Sequence, residues 1–276
     1  MSYRSVYAVG AIFLSTLMFS CNKEVEQKSD NQPDELALAP IKETVNVYAV
    51  LNGAFTAILG SGMPESDQVS GRKYGCASIT ANPGGLTGFP KDILVDFGNE
   101  GCTLRGYTGK GSVSFTLSQW IYTPGTVIEP EFNNFYVNGY KVEGKYKITT
   151  EEGNKFKVEI LEGVVTSPDN VKFELTGEQY YTQIEGTETQ LAFGDDVYSI
   201  EGNIQGESTL GVTKGEIKTP LIRPVACDNI TSGILYVEAG EIVGDLDFGD
   251  GTCDNEGILR TEVFGQIFEV PMTLPF

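Results

Sequence analysis

The cysteines and the acidic residues carry most of the chemistry that this sequence offers. The chain has five cysteines, 38 Asp and Glu residues and no histidine. Because histidine is the commonest general base, its absence from the sequence excludes Ser-His and Cys-His catalytic arrangements. What remains is disulfide chemistry, cysteine acylation, carboxylate chemistry and cation binding.

Four cysteines belong to a duplicated cassette, which spans residues 76–106 and again residues 227–257. Aligning the two copies without a gap places cysteine on cysteine, and an Asp-Phe-Gly triplet on a second Asp-Phe-Gly triplet. A repeated unit most simply closes on itself, which predicts two disulfides. The pairs are Cys76 with Cys102 and Cys227 with Cys253. Zinc is the competing ligand, but the sequence lacks the close Cys-x-x-Cys pairs and the histidines of structural zinc sites.

Acidic residues crowd the second cassette and raise two further hypotheses. Calcium favours several carboxylates on a tight turn that contains glycine, although the order of residues here does not fit an EF-hand loop. The alternative is that Gly98 and Gly249 adopt positive φ while the aspartates accept hydrogen bonds from local backbone amides. Paired carboxylates could also hydrolyse glycosides. The weak calcium candidates are Asp245, Asp247, Asp250 and Asp254.

A group of aromatic residues in the middle of the chain is a candidate ligand surface, since exposed rings on a sheet stack on sugars or peptides. Strand alternation places Phe135 and Tyr136 on opposite faces, so the whole set cannot be exposed together. Core packing is the alternative explanation for these rings. The candidate ligand-contacting residues are Trp120, Tyr122, Tyr136 and Tyr140.

The N-terminus has the layout of an export signal. Arg4 precedes an apolar run from Val6 to Phe19, which is too short for a spanning helix. Leu17 to Cys21 resembles a bacterial lipobox, which predicts a signal peptide over residues 1–20 and lipidation of Cys21. The alternative is an ordinary secreted protein with a spare cysteine. Either leader predicts an oxidising, extracytoplasmic compartment.

Residues 21–44 are polar and charged and predict a disordered tether, whereas residues 45–276 predict a single domain. Apolar residues at helical spacing predict a helix from Val45 to Leu59 that packs on a sheet, with partner binding as the alternative use of its apolar stripe. The remaining chain alternates and is punctuated by turns such as Asn138-Gly139, typical of a type I′ hairpin. We predict an all-β fold, a long antiparallel meander forming a sandwich or partial barrel, with one N-terminal helix.

Several segments together resemble a family of uncharacterised lipoproteins from Bacteroidota bacteria. They are the lipobox-like cysteine, VDFGNEGC, FNNFYVNGYKVEGKYKITT, DDVYSIEG and LDFGDGTCDN. The resemblance covers most of the chain after the leader. It implies an outer-membrane or cell-surface location and a β-rich fold, and it implies no particular activity or residue role.

The net charge of −19 disfavours nucleic acid and anionic lipid surfaces as partners. We therefore expect a lipid-anchored, non-enzymatic module without a cofactor, which binds a glycan, a peptide or an envelope protein. A purely structural envelope component is a variant of this prediction. The alternative from another class is a carboxylate-dependent, glycan-active enzyme. Such an enzyme requires a deep cleft with two acids whose pKa values shift in opposite directions.

Overall fold

The computed structural model describes residues 38–61, 70–84, 87–104, 106–189, 193–263 and 265–274. The predicted signal peptide, Cys21 and most of the predicted tether lie outside these residues. The described elements are α1 (Ala39–Ser61), β1 (Ser70–Tyr74), β2 (Ala77–Asn82), β3 (Lys91–Leu104), β4 (Tyr107–Leu117), β5 (Val127–Ile128), β6 (Glu131–Val137), β7 (Tyr140–Glu151), β8 (Lys155–Thr166), β9 (Lys172–Glu185), a 3-10 turn (Phe193–Asp195), β10 (Val197–Ser208), β11 (Gly211–Pro224), β12 (Ser232–Ala239), β13 (Ile242–Asp250), β14 (Glu256–Val263) and β15 (Gln266–Thr273).

The strands form one 15-stranded antiparallel sheet in which spatial order follows chain order. β5 is the exception, because it pairs with β7 beside the main path. The hairpin at Asn138-Gly139 has the predicted form: both residues have positive φ, 50° and 85°, and Val137 pairs directly with Tyr140. The predicted all-β meander with one N-terminal helix is confirmed.

Helix α1 is longer than predicted and begins in the segment assigned to the tether. It starts at Ala39 rather than Val45, and Leu38 and Ile41 are buried. The helix therefore begins before the predicted domain boundary at residue 44. Pro40 was the overlooked start signal, because proline is tolerated in the first turn, where its missing N–H has no partner within the helix. Within the described chain, no helix has the length and apolar character needed to cross a bilayer.

The sheet curls around α1 rather than lying against one side of it. The helix contacts strands that range from β4 to β13 along the order. Neighbouring strands are about 4.8 Å apart, so eight steps along a flat sheet would cover almost 40 Å, whereas a helix is only about 10 to 12 Å across. The sheet must bend to reach it, and the burial of almost every residue from Thr44 to Phe55 agrees with this geometry.

Glycines allow the long strands to bend. At Gly202 in β10, φ is +115°, and an added Cβ would lie 2.1 Å from the carbonyl oxygen of Glu178 on β9. The β10–β11 register shifts at this point, between Ile200 and Asn203. Register shifts of this kind bend a strand and strengthen its twist. Glycine thus occurs where the backbones of adjacent strands approach too closely for a side chain.

Both predicted disulfides are present. Cys76 bonds Cys102 with the Cα atoms 5.6 Å apart, and Cys227 bonds Cys253 at 5.8 Å. In the first cassette, β2 and β3 form the expected hairpin. In the second cassette the corresponding strands, β12 and β13, pair in a different register, because β12 begins only at Ser232. The covalent link is therefore the same in both copies, while the strand register is not.

We expect each disulfide to stabilise the fold mainly by restricting the unfolded chain. Closing a loop over a separation of 26 residues is worth roughly 3.5 kcal/mol in the chain-entropy model. Urea denaturation of the Cys76→Ser/Cys102→Ser variant should show a loss of this order. The Cys227→Ser/Cys253→Ser variant is the matched comparison, since its loop is equally long. If neither variant is destabilised, the cassettes do not act as covalent clamps.

Candidate functional site

The structure does not assemble the predicted aromatic surface. Tyr122 and Tyr140 are buried, with 7% and 8% of their surface exposed. Trp120 is half-buried and lies against Tyr122, with 6.4 Å between ring centroids. Tyr136 alone of the four projects from the outer face, where the Lys110 ammonium lies 5.9 Å from its ring centroid. Core packing is therefore the main role of this group.

Tyr140 connects the sheet to the helix. Its hydroxyl donates to Glu43 Oε2 and accepts from Asn46 Nδ2, both at 3.0 Å. Burial, followed by the negative charge of Glu43, raises the pKa of Tyr140 well above its usual value. The ring therefore stays neutral and anchors α1 against β7, which leaves it unable to stack on an external ligand.

Each of the four calcium candidates has a hydrogen-bond or ion-pair partner within the protein. Asp245 pairs with Lys218 at 3.0 Å, and Asp250 accepts hydrogen bonds from the backbone and hydroxyl of Thr252. Asp254 Oδ1 accepts the backbone N–H of Glu256 at 3.0 Å. Among the described residues, no group of three or more Cys, Asp or Glu side chains is arranged to hold a metal ion.

The Asp-Phe-Gly triplets of the two cassettes share one local structure. Asp96 Oδ1 accepts the backbone N–H of Gly98 at 2.8 Å, and Asp247 Oδ1 accepts that of Gly249 at 3.0 Å. Both glycines have positive φ, 73° and 102°. The phenylalanine of each triplet is buried. This confirms the alternative in which the aspartates stabilise the local backbone.

Five carboxyl groups, described in turn below, have lowered pKa values. For Asp247 the largest cause is the backbone N–H of Gly249, followed by Arg260. For Asp250 the cause is the hydroxyl and backbone of Thr252, and for Glu178 it is the Lys157 ammonium. Glu174 and Glu216 are lowered by neighbouring lysines. These shifts stabilise the ionised form, whereas a general acid requires a raised pKa.

The outer face of the sheet differs sharply in charge between its middle and its C-terminal end. The segment 140–185, which contains β7 to β9, has nine acidic residues and six lysines. Many of these charges are paired: Lys157 Nζ lies 2.6 Å from Glu178, and Lys145 Nζ lies 2.8 Å from Glu162. The segment 232–273, which contains β12 to β15, also has nine acidic residues but only one basic residue, Arg260. None of those nine acids is buried.

We call the outer surface of β12 to β15 the acidic face. Arg260 lies within it and donates to Asp247 at 3.0 Å and to Glu269 at 3.1 Å. Arg260 and the Lys218 ammonium beside Asp245 cannot balance nine carboxylates, so the face keeps a net negative charge. Apolar residues interrupt the acids, notably Ile258 at 39% and Ile267 at 76% exposure. The surface is therefore both anionic and partly apolar.

An open groove of about 720 Å³ lies within the acidic face, where β13, β14 and β15 meet. The sequence contained one signal for it, the run of acids without lysine after residue 232. The groove itself depends on strand register, which brings β13 and β15 to either side of β14. Its lining side chains are Asp247, Asp250, Asp254, Glu256, Ile258, Pro271, Met272 and Thr273.

Comparison of the chain with protein-family models, with curated proteins and with solved structures finds no match. The acidic face is therefore interpreted from its own geometry and charge.

The lowered pKa of Asp247 predicts how one part of this face responds to acid. A depressed folded-state pKa stabilises the protein above the ordinary value of 3.8, and this stabilisation is lost as the pH falls through the folded-state pKa. Asp247→Asn should therefore lower the free energy of unfolding at neutral pH and converge with wild type in strong acid. Urea denaturation across that range measures it. Glu262→Gln, an exposed change on the same face, is the control, and parallel curves for Asp247→Asn and wild type would contradict the prediction.

Proposed function

We propose that this protein is a non-enzymatic binding module whose acidic face recognises a positively charged segment of a partner protein. The charge asymmetry of the outer sheet surface carries this proposal. The middle strands neutralise their acids with lysines, whereas β12 to β15 present nine acids with one arginine. Complementary charge of this kind steers a partner to its site and selects against like-charged competitors.

The lining of the groove favours a protein segment over a glycan. Sugars commonly require exposed aromatic rings, but Tyr122 and Tyr140 are buried. The groove instead combines carboxylates with Ile258, Pro271 and Met272. Lysine and arginine suit this surface, because their long apolar stems can cover the aliphatic side chains while the charged ends reach the carboxylates.

The interior of the fold supports binding at the surface rather than catalysis within a cleft. α1 occupies the concave side of the sheet, and its contact with Tyr107 is so close that a Cβ at Gly53 would lie 2.5 Å from the ring. The nine acids of the acidic face lie on the outer surface, where water screens them. Asp247 and Asp250 both have lowered pKa values, so they do not supply the opposed pair that glycoside hydrolysis uses.

We expect the affinity to depend on the carboxylates that line the groove. The variant Asp250→Asn/Asp254→Asn/Glu256→Gln removes three negative charges while keeping an oxygen acceptor at each position. At about 0.2 to 1 kcal/mol for each exposed charge pair, removing three of them should weaken binding by about threefold to about 150-fold. The probe is a short, end-blocked peptide of alternating lysine and valine, measured by fluorescence anisotropy at low ionic strength with the purified protein.

The matched control removes three charges from the balanced middle of the sheet, as Glu143→Gln/Glu162→Gln/Glu174→Gln. Both variants have the same net charge, so a general attraction to the anionic protein would weaken equally in the two. The proposal requires a loss confined to the groove variant, and one that diminishes as salt screens the charges. Equal losses, or no loss in the groove variant, would refute it.

The module is anchored in the outer membrane or at the cell surface through a lipid on Cys21. The lipobox-like leader supports this part of the proposal, and the two disulfides suit an oxidising compartment. A single acyl chain binds a membrane only marginally, so the several chains of a bacterial lipoprotein are needed for stable attachment.

Cys21→Ser should release the protein from membranes or leave its leader uncleaved. Detergent-phase partitioning and the mass of the mature N-terminus measure these two outcomes. Cys76→Ser is a suitable control, because it also removes a cysteine but leaves the leader unchanged. If Cys21→Ser partitions into detergent and is processed like wild type, the anchor is not at this residue.

A further inference from the structure

Strand β15 ends the sheet, and one hydrogen bond fixes which of its backbone groups face outwards. The N–H of Leu274 donates to the carbonyl oxygen of Asn255 at 2.8 Å. In an antiparallel pair, hydrogen-bonded positions alternate with positions whose N–H and C=O point away from the partner. Counting back along the register, Met272, Val270 and Phe268 bond to β14. The backbone groups that face away from β14 are those of Ile267, Glu269, Pro271 and Thr273.

The same four residues place their side chains on the acidic face. All four are exposed, with Ile267 at 76% and the side chain of Glu269 at 63%. The outward backbone edge therefore borders the acidic face at Glu269 and, at its C-terminal end, at Glu256, which pairs with Thr273. A chain that paired with this edge would place alternate side chains beside Glu269, whose Oε1 also accepts from Arg260 at 3.1 Å.

Protection of this edge is incomplete. Edge strands are commonly blocked by lysine, proline or bulges. β15 has no lysine, and Pro271 removes one outward N–H donor towards its C-terminal end. Ile267 and Glu269 retain both their donors and their acceptors at the other end. No strand adjoins this edge in the described chain, in which the strand order ends at β15.

We propose that the edge of β15 accepts an extended, positively charged segment of the partner protein as an additional β-strand. This deepens the proposed function and rests on it, because the acidic face selects the charge of the segment. Main-chain hydrogen bonds to Ile267 and Glu269 supply affinity, and alternate basic side chains of the segment lie towards the carboxylates. A second copy of this chain is disfavoured, because its own β15 edge would bring an equally acidic face alongside.

The test separates backbone pairing from charge. Ile267→Pro removes an outward N–H without breaking a bond to β14, whereas Ile267→Thr shortens the apolar side chain and keeps the N–H. With the lysine-valine peptide, Ile267→Pro should bind at least tenfold more weakly than Ile267→Thr. The peptide methylated at alternate backbone nitrogens on its pairing edge should lose affinity for the wild-type protein to a similar extent. This second measurement remains valid even if the proline variant is poorly folded.

The outcomes distinguish the two proposals. Unchanged binding by the methylated peptide, together with a loss in the Asp250→Asn/Asp254→Asn/Glu256→Gln variant, would overturn strand addition and leave the charged site intact. If neither the methylated peptide nor the groove variant showed weaker binding, both the strand addition and the charged binding site would be overturned. Sedimentation that shows a dimer of the wild-type protein, abolished in Ile267→Pro, would assign the edge to a second copy and overturn the proposal for a basic partner.

Discussion

Burial of α1 inside the curled sheet is the interaction on which the rest of this fold depends. Phe55 is fully buried and makes edge contacts with Tyr146 on β7 and Tyr181 on β9, with ring centroids 5.9 and 6.2 Å away. Burying one such ring contributes about 1.5 to 3 kcal/mol. Two buried hydrogen bonds orient the helix: the Gln179 amide donates to the Tyr48 hydroxyl, and the Tyr181 hydroxyl donates to Asn52, each at 2.6 Å.

Wrapping one helix requires strands that are far apart in the meander to approach one another. The junction between the cassettes shows such an approach, between the β3–β4 turn and the segment that joins β11 to β12. Gly106, in the turn after β3, lies against Asp228, and an added Cβ there would be 2.9 Å from the carbonyl oxygen of Asp228. The buried guanidinium of Arg223 lies 4.9 Å from the ring of Tyr107 and donates to that same carbonyl. The duplicated cassettes thus meet and support each other where the sheet curls back.

This architecture leaves the outside of the sheet as the surface for the proposed recognition. The inward side chains are occupied by contacts with α1, so alternate outward residues are free to vary in charge. Between β7 and β9 they form ion pairs such as Lys157 with Glu178, each of which contributes little to stability at an exposed site. Between β12 and β15 the acids outnumber the bases, and this excess of negative charge is the basis of the proposed binding of a charged partner.

The sequence by itself determined features that depend on local chemistry or on the duplication. The Asn138-Gly139 turn follows from the need for positive φ at both residues, and the cysteine pairing follows from the repeated spacing. Tertiary structure decided features that depend on distant strands. The periodicity of α1 indicated one apolar stripe. The middle of the helix, from Thr44 to Phe55, is nevertheless buried on almost all sides, because the sheet curls around it. Packing likewise decided that Tyr122 and Tyr140 are buried, and strand register formed the groove beside Asp250. Neighbouring residues in the sequence do not encode either feature.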